Sequence, residues 1–254
     1  MEKISAYIIT LNDKDKIRRT LESVSFCDEI VVVHNGSNDG TLAICEEFGA
    51  KIIEQDWLGF AKQKQFALDA CQYEWCLNLD SDEEVSQELM ESIREILRSG
   101  TECSAFSIRR YNKFLGMDLP AWMHKDSVVR LFRKGKVRYN DVLVHEKVIV
   151  DGKIGNLAGH ILHYSKETLA ICQNDVDSYS SLSAKEKFEA GKKLCLPRFY
   201  LTFPFTFIKK YFIDRAFLLG SRGFIYAVME SYYSFMKQAK LWEMHIQSEE
   251  KNKS

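Results

Sequence analysis

A chain of 254 residues is long enough to bury a core, and one domain with an appended segment is the expectation. With 46% hydrophobic and 28% charged residues and no low-complexity tract, it does not have the composition of a disordered protein. The formal net charge of -1 excludes a bulk nucleic-acid binder but hides an asymmetry: residues 192–241 hold nine Lys or Arg against Asp214 and Glu230, which points to a local anionic partner.

The first hundred residues alternate between two periods. Ile4–Thr10 is a short apolar run, and Asn12 after it reads as a helix N-cap, with Ile17, Leu21 and Val24 at helical spacing. Glu29–His34 contains Ile-Val-Val-Val, a β-branched run suited to a strand buried on both faces. Residues 41–48 predict a helix with Gly49 as its terminating glycine, 51–54 a third strand, and 58–71 a helix. Residues 75–79 predict a fourth strand and 86–98 a helix closed by Gly100. Strand and helix in alternation with short links imply a mainly parallel sheet covered on both sides. Ligands of such sheets sit beyond the carboxyl ends of the strands, so the loops at 10–13, 34–40 and 80–84 should share one crevice. From about 101 the pattern shifts to short strands at 105–110, 128–132 and 146–150, read as the acceptor half of the same domain. The expected division is 1–190 for the catalytic domain (1–100 for the donor, 101–190 for the acceptor) and 191–254 for a helical tail.

Seven cysteines form no Cys-x-x-Cys pair, which suggests buried thiols in a reducing compartment. The start lacks a signal-peptide pattern, and Arg198, Lys209, Arg215 and Arg222 interrupt the best candidate for a membrane span. A cytoplasmic protein is the expectation.

The segment Trp75-Cys76-Leu77-Asn78-Leu79-Asp80-Ser81-Asp82-Glu83-Glu84 delivers two carboxylates, one residue apart, to the tip of an apolar strand. Mg²⁺ or Mn²⁺ takes one or two carboxylates together with the phosphates of a substrate. An acidic loop leading into a helix N-terminus would look the same. The first strand ends Ile8-Ile9-Thr10-Leu11-Asn12, and the second leads into Gly36-Ser37-Asn38-Asp39-Gly40-Thr41. In this ordered set the chain resembles family 2 of the inverting glycosyltransferases, whose nucleotide-binding fold is the Rossmann-like GT-A fold. The resemblance covers residues 4 to about 100 and implies that Thr10, Asn12, Asn35, Lys64 and Asp80 seat the donor nucleotide. It also implies that Asp80 and Asp82 hold the metal. Two departures stand out. His34-Asn35 replaces the family's acidic pair, and Lys64 replaces an arginine, meeting a diphosphate as a point charge rather than a fork.

An inverting transfer needs a general base near the acceptor hydroxyl. The position matching the family's Glu-Asp pair is Val144-His145-Glu146, which makes Glu146 the expected base beside His145, with Asp118 and Asp126 as rivals. His163 could serve the metal or the diphosphate, or be structural. Asp56-Trp57-Leu58-Gly59-Phe60-Ala61-Lys62-Gln63-Lys64-Gln65, Tyr111-Asn112-Lys113-Phe114-Leu115-Gly116, Val144-His145-Glu146 and Ala239-Lys240-Leu241-Trp242-Glu243 are similar to bacterial lipopolysaccharide-core β-glucosyltransferases of this family. That likeness implies a UDP-hexose donor, UDP-glucose first, and a heptose of the lipid A-linked inner core as acceptor.

Residues 192–241 also hold 13 of the 31 aromatic residues, interleaved with lysine and arginine. This is the pattern of an amphipathic interfacial segment on anionic lipid, with packing on the catalytic domain or on a second subunit as the alternative. Single-stranded nucleic acid would also suit aromatic–basic interleaving, but the acidic remainder argues against it. Two other functions fit parts of the pattern: a phosphatase using Asp80 as nucleophile, and a membrane-docked sugar-nucleotide-binding module without catalysis. A dinucleotide-dependent dehydrogenase does not, because no Gly-x-Gly-x-x-Gly follows the first strand.

Overall fold

The computed structural model describes residues 2–123, 127–140, 148–193 and 195–251. The chain divides into two units, Met1–Asn112 with His124–Tyr164, and Lys113–Met123 with Ser165–Ser254. Residues 191–254 thus belong to one unit together with α5 (Leu169–Glu189).

Alternation runs as the periods predict: β1 (Ile4–Thr10), α1 (Lys14–Ser23), β2 (Glu29–His34), α2 (Thr41–Glu47), β3 (Lys51–Glu54), α3 (Phe60–Asp69) and β4 (Trp75–Asp80). After these come β5 (Glu83–Val85), α4 (Gln87–Ser99), β6 (Ala105–Phe114), β7 (Met117–Asp118), β8 (Ser127–Arg133), β9 (Val137–Tyr139), β10 (Val148–Val150) and β11 (Ile154–Lys166). The order ends with α5, α6 (Leu196–Ile208) and α7 (Gly220–Lys251).

In the first unit the sheet order is β3-β2-β1-β4-β8-β6-β11-β5. The first four strands are parallel, with Ile8 opposite both Val32 and Leu79. Helical crossovers between them return each strand to the same end of the sheet. Beyond β4 the pairs β4–β8, β8–β6 and β11–β5 are antiparallel. The strand alternation divides the core into two. Ile4, Ala6, Ile8, Val32, Leu77 and Leu79 pack with Ile17, Leu21, Leu89 and Ile93 under α1 and α4, whereas Tyr7, Val31, Val33 and Cys76 pack with Ala67 and Leu68 of α3. Each valine, leucine or isoleucine among them, fully buried, contributes about 1.5–3 kcal/mol.

Local chemistry sets the helix ends. Ser86 caps α4 by accepting the Leu89 N–H at 3.3 Å, and Gly100 ends that helix at φ 76°. At α1 the structure corrects the expected N-cap: Asp13, not Asn12, holds that position. Asn12 is instead in the left-handed region at φ 56°, a conformation asparagine tolerates better than most residues.

The second unit has its own small core of Phe114, Leu119, Cys172, Ala216 and Tyr226. Phe114 meets Tyr226 edge to face at 5.3 Å, and Lys166 pairs with Glu230 at 2.6 Å. Pro197 opens α6, and a π-helical turn, Lys209–Ile213, follows it. No helix among the described residues is long and apolar enough to cross a membrane.

The start of α4 is tied to β11 by two hydrogen bonds, Ser86 N–H to His160 O and His160 N–H to Ser86 Oγ, both 3.1 Å. This backbone approach needs a glycine beside it. A Cβ on Gly159 would lie 2.3 Å from the Leu89 nitrogen and 2.6 Å from its Cα, at φ +84°. At Gly49, φ +66°, the same Cβ would meet nothing. Gly159→Ala is therefore expected to lower stability by about 3 kcal/mol or more. Gly49→Ala should cost about 1 kcal/mol, the conformational penalty alone. Urea unfolding of the two variants beside wild type checks this, and equal losses would show that the backbone contact does not matter.

Candidate active site

β4 carries Asp80 to the rim where the parallel strands end, and β5 begins three residues later at Glu83. The turn between them brings three acids together, and buried cations hold two of these in place. Asp80 Oδ1 meets Lys64 Nζ at 2.8 Å, and Asp80 Oδ2 meets Arg130 Nη2 at 2.6 Å. The same Arg130 nitrogen donates to Glu83 Oε1 at 2.7 Å, while Glu83 Oε2 accepts the Asp80 N–H at 3.0 Å. Arg110 approaches Glu83 at 3.5 Å. Arg130 Nη1 donates to Asn78 Oδ1, which also accepts from the Tyr139 hydroxyl at 3.3 Å; Tyr139 and Tyr7 share a hydrogen bond at 2.6 Å. Glu83 is wholly buried and Lys64 and Arg130 nearly so, whereas the Asp80 side chain keeps 29% of its surface exposed.

Charge sets the protonation of this group. Burial opposes ionisation of Asp80, but Arg130 and Lys64 outweigh it and hold the carboxyl well below the usual carboxylate range. Burial likewise opposes the Arg130 charge, and Asp80 and Glu83 restore it and more. Burial pushes the Tyr139 hydroxyl up to about 12, so it remains a neutral donor.

Asp82 looks the other way. Its Oδ1 lies 3.4 Å from His163 Nε2, and His163 Nδ1 lies 2.8 Å from Asn112 Oδ1. An amide oxygen can only accept, so Nδ1 carries a hydrogen and Nε2 is the atom presented to Asp82. Burial opposes ionisation of Asp82, and the hydrogen bond and charge of His163 outweigh it, leaving its carboxyl below the ordinary value. A cation taking the place of the Nε2 proton would find a ring lone pair and a carboxylate oxygen facing it. A carboxylate and an imidazole at this separation, with the ring oriented from behind by Asn112, fit a divalent cation such as Mn²⁺. No cluster of three or more His, Cys, Asp or Glu arranged around a metal occurs among the described residues, so phosphate and water would complete the shell.

The loops at 10–13, 34–40 and 80–84 do meet. Asp13 Oδ2 accepts from Thr10 Oγ1 at 2.8 Å and from Ser81 Oγ at 2.6 Å, and the Asp13 N–H donates to Thr41 Oγ1 at 2.9 Å. Asp39 accepts from the Thr41 hydroxyl and from the N–H groups of Thr41 and Lys14, and the Thr41 hydroxyl bond leads in holding its carboxyl below the ordinary value. Asn12 Oδ1 accepts the Asn38 N–H at 2.9 Å, and the Asn12 N–H donates to Ser37 Oγ at 3.1 Å. His34 Nδ1 accepts the N–H groups of Gly36 and Ser37, so this ring shapes the turn just as a carboxylate would. Asn35, half-buried, sits at the head of that turn.

Of the residues singled out from the sequence, Asp80 and Lys64 touch, and Asp82 and His163 touch. Thr10 and Asn12 fix the loops in shape through Asp13 and Asn38. Asp118 lies in the second unit, paired with Lys113 at 2.8 Å. Glu146, His145 and Asp126 lie outside the described residues. Sequence reasoning missed Arg130, Glu83, Tyr139 and Asp13. For Arg130 there was a signal: one cation inside the apolar run Val128-Val129-Arg130-Leu131-Phe132 must find a buried acid.

Two outcomes follow. Arg130→Met removes the nearer of the two cations on buried Glu83, leaving Arg110 at 3.5 Å, and should cost about 3 kcal/mol, while the double variant Arg130→Met/Glu83→Met should recover much of it. A harmless single substitution, read by urea unfolding, would refute the role of this pair. Asp80 gives a pH signature. Its folded value is depressed, so its ion pairs contribute stability above the unfolded value of about 3.9 and lose it as pH falls through the folded value. Wild type should therefore lose stability below about pH 4 more steeply than Asp80→Asn, while being the more stable of the two at neutral pH.

The protein-family model described as Glycosyl transferase family 2 matches residues 5–153. The lipopolysaccharide core biosynthesis glycosyltransferase LpsC of Rhizobium meliloti is 34% identical over 253 residues, covering 95% of this chain and 93% of that protein. An uncharacterized glycosyltransferase of Rickettsia prowazekii is 34% identical over 262 residues, covering 98% of this chain and 90% of that one. Among solved structures, S. aureus TarS matches with a TM-score of 0.51 at 14% identity, covering 93% of this chain and 55% of that chain, a likeness of fold alone. It agrees with the GT-A fold expected from the sequence. The family match spans more than half the chain and the relatives nearly all of it: the protein belongs to glycosyl transferase family 2 and is a glycosyltransferase.

Proposed function

We propose that this glycosyltransferase moves a hexose, glucose first among candidates, from a UDP-sugar to a lipid-linked glycan with inversion at the anomeric carbon. The observation that carries the donor side is the rim of β4, where Asp82 and His163 converge beside the ion-paired Asp80. Asp82 and His163, with Asp80 next to them, would hold Mg²⁺ or Mn²⁺. When bound, the ion offsets the charge on the leaving nucleoside diphosphate. Lys64 lies at the same rim with its charge shared with Asp80, and Asn35 offers amide donors and acceptors to a uracil edge. Glu146 takes the proton from the acceptor hydroxyl as that oxygen attacks, and a single displacement on an α-linked donor leaves a β-linkage. The LpsC relative, named for lipopolysaccharide core biosynthesis, supports a lipopolysaccharide-core acceptor. With such an acceptor the protein works in the cytoplasm, on the inner face of the membrane. A phosphatase using Asp80 as nucleophile fits less well, because both carboxylate oxygens are committed to Lys64 and Arg130.

Isothermal titration with UDP, with and without Mn²⁺, tests the donor site. Tight binding is expected only with the metal, and Asp82→Ala should abolish it while the fold persists. Folded protein that binds none of UDP, GDP and CDP would end this reading. For the base, Glu146→Gln should keep UDP binding and lower turnover by about 10²–10⁴-fold.

A further inference from the structure

The second unit exposes an apolar surface that its own core does not use. Among the described residues, 11 of the 21 exposed large apolar side chains fall between 196 and 224, so this stretch is where the surface departs from ordinary scatter. Tyr200 and Ile213 are each 70% exposed and Phe205 65%. Leu201, Phe205, Ile208 and Phe212 follow one another at spacings of four, three and four, a single stripe along α6 and the turn after it. Phe199 packs on Phe235 and Trp242 and Phe207 on Phe224, but no residue of α6 is buried, and Leu196, Tyr200 and Phe203 are exposed outside the stripe as well.

Charge says what covers the stripe. Lys192, Lys193, Arg198, Lys209, Arg215 and Arg222, in the same stretch of chain, are all exposed. The one acid in 192–224, Asp214, is drawn to Lys210 at 3.4 Å. Beside the stripe lies an open cleft of about 460 Å³ lined by Leu201, Thr202, Phe205, Arg198, Lys187 and Lys237. Burial leads in lowering the Lys187 ammonium, with Lys237 and Arg198 adding to it. For Lys237 burial again leads, with Glu230 opposing and Arg198 lowering. These three cations therefore repel one another where apolar rings and hydroxyls meet, the environment an anionic headgroup relieves. A second copy of the same face would bring like charges together.

We infer that α6 and the turn after it lie in the interface of an anionic bilayer, with a lipid phosphate seated in the cleft between Arg198, Lys187 and Lys237. The apolar stripe would enter the headgroup boundary while the surrounding cations meet the anionic surface. This gives the acceptor a place to meet the enzyme, a link that holds only if the acceptor is lipid-linked as proposed.

Cosedimentation with vesicles tests it. The full chain should bind vesicles of equal parts phosphatidylcholine and phosphatidylglycerol and not phosphatidylcholine alone. Lys209→Gln/Arg215→Gln/Arg222→Gln should weaken binding about a hundredfold, with a steep salt dependence. Lys187→Gln/Lys237→Gln and Phe205→Ser/Ile208→Ser should each weaken it about tenfold or more. UDP titration runs beside every variant. Retained vesicle binding without UDP binding would leave the docking surface standing and overturn only the donor reading. Four outcomes overturn the docking surface: equal binding to neutral vesicles, no vesicle binding by wild type, binding to polyuridylate in preference to vesicles, or a dimer in light scattering that Phe205→Ser/Ile208→Ser makes monomeric. Full competition of vesicle binding by inorganic phosphate would assign the cleft to free phosphate and overturn the lipid.

Discussion

The arrangement at the rim of β4 depends on one buried guanidinium. Three acids within four residues, Asp80, Asp82 and Glu83, would repel one another if they simply shared a strand tip. Arg130 resolves this by reaching from β8 to Asn78, Asp80 and Glu83 together. Glu83 has no accessible surface, and a buried carboxyl group needs a partner in place of water. Such a network is weak evidence of net stability, because desolvating its charges offsets most of what they gain from one another. What it fixes is geometry. The Asp80 side chain can sit at only one place when one oxygen is held from α3 and the other from β8.

The same rim is otherwise assembled by side chains that bond to neighbouring loops. Asp13 gathers Thr10, Ser81 and Thr41; Asp39 gathers Thr41 and Lys14; Asn12 holds Asn38. The ends of three parallel strands are thus cross-braced without any contribution from the sheet hydrogen bonds. Bracing of this kind lowers the ordering cost of binding a ligand there. It also leaves a charge problem for the proposed donor. A nucleoside diphosphate approaching Asp82 meets a carboxylate, and the cations Lys64 and Arg130 are already balanced by Asp80 and Glu83. The proposed function therefore needs an added positive charge at Asp82, and the facing oxygen and imidazole nitrogen are where it would go.

What was legible in the sequence was local. The apolar runs of β1, β2 and β4 lie where their composition placed them, because strands buried on both faces need continuous apolar residues. Ser86 and Gly100 marked α4 because a cap acts within one turn. The Asp-x-Asp was visible, and so was its neighbour Lys64 within the same unit of sequence. Arg130 and Tyr139 were not read, since their partners lie about fifty or more residues away and only the folded sheet brings them together. Asn12 was misread as the cap because Asn and Asp compete for that place, and Asp13 won it while Asn12 took the left-handed turn. His34 looked like a loss of the family's acid; its ring nitrogen accepts the turn's N–H groups as an acid would.

The second unit poses a different physical problem. Among the described residues its buried core is modest, a cluster of five around Phe114 and Tyr226 with Val176, Ala184, Ala227 and Leu241 buried along α5 and α7, and Lys166, Lys210 and Glu230 form a charged cluster. Helices with so modest a core usually turn their remaining aromatic residues inward, since each buried one contributes more than any surface contact. Here α6 does the reverse on one side, presenting Leu201, Phe205 and Ile208 to solvent while Phe199 and Phe207 take the packing. Water makes that arrangement costly, and an excess of cations around it makes self-association costly too. An anionic interface relieves both costs at once, because it removes the rings from water and brings counter-charge to the lysines and arginines.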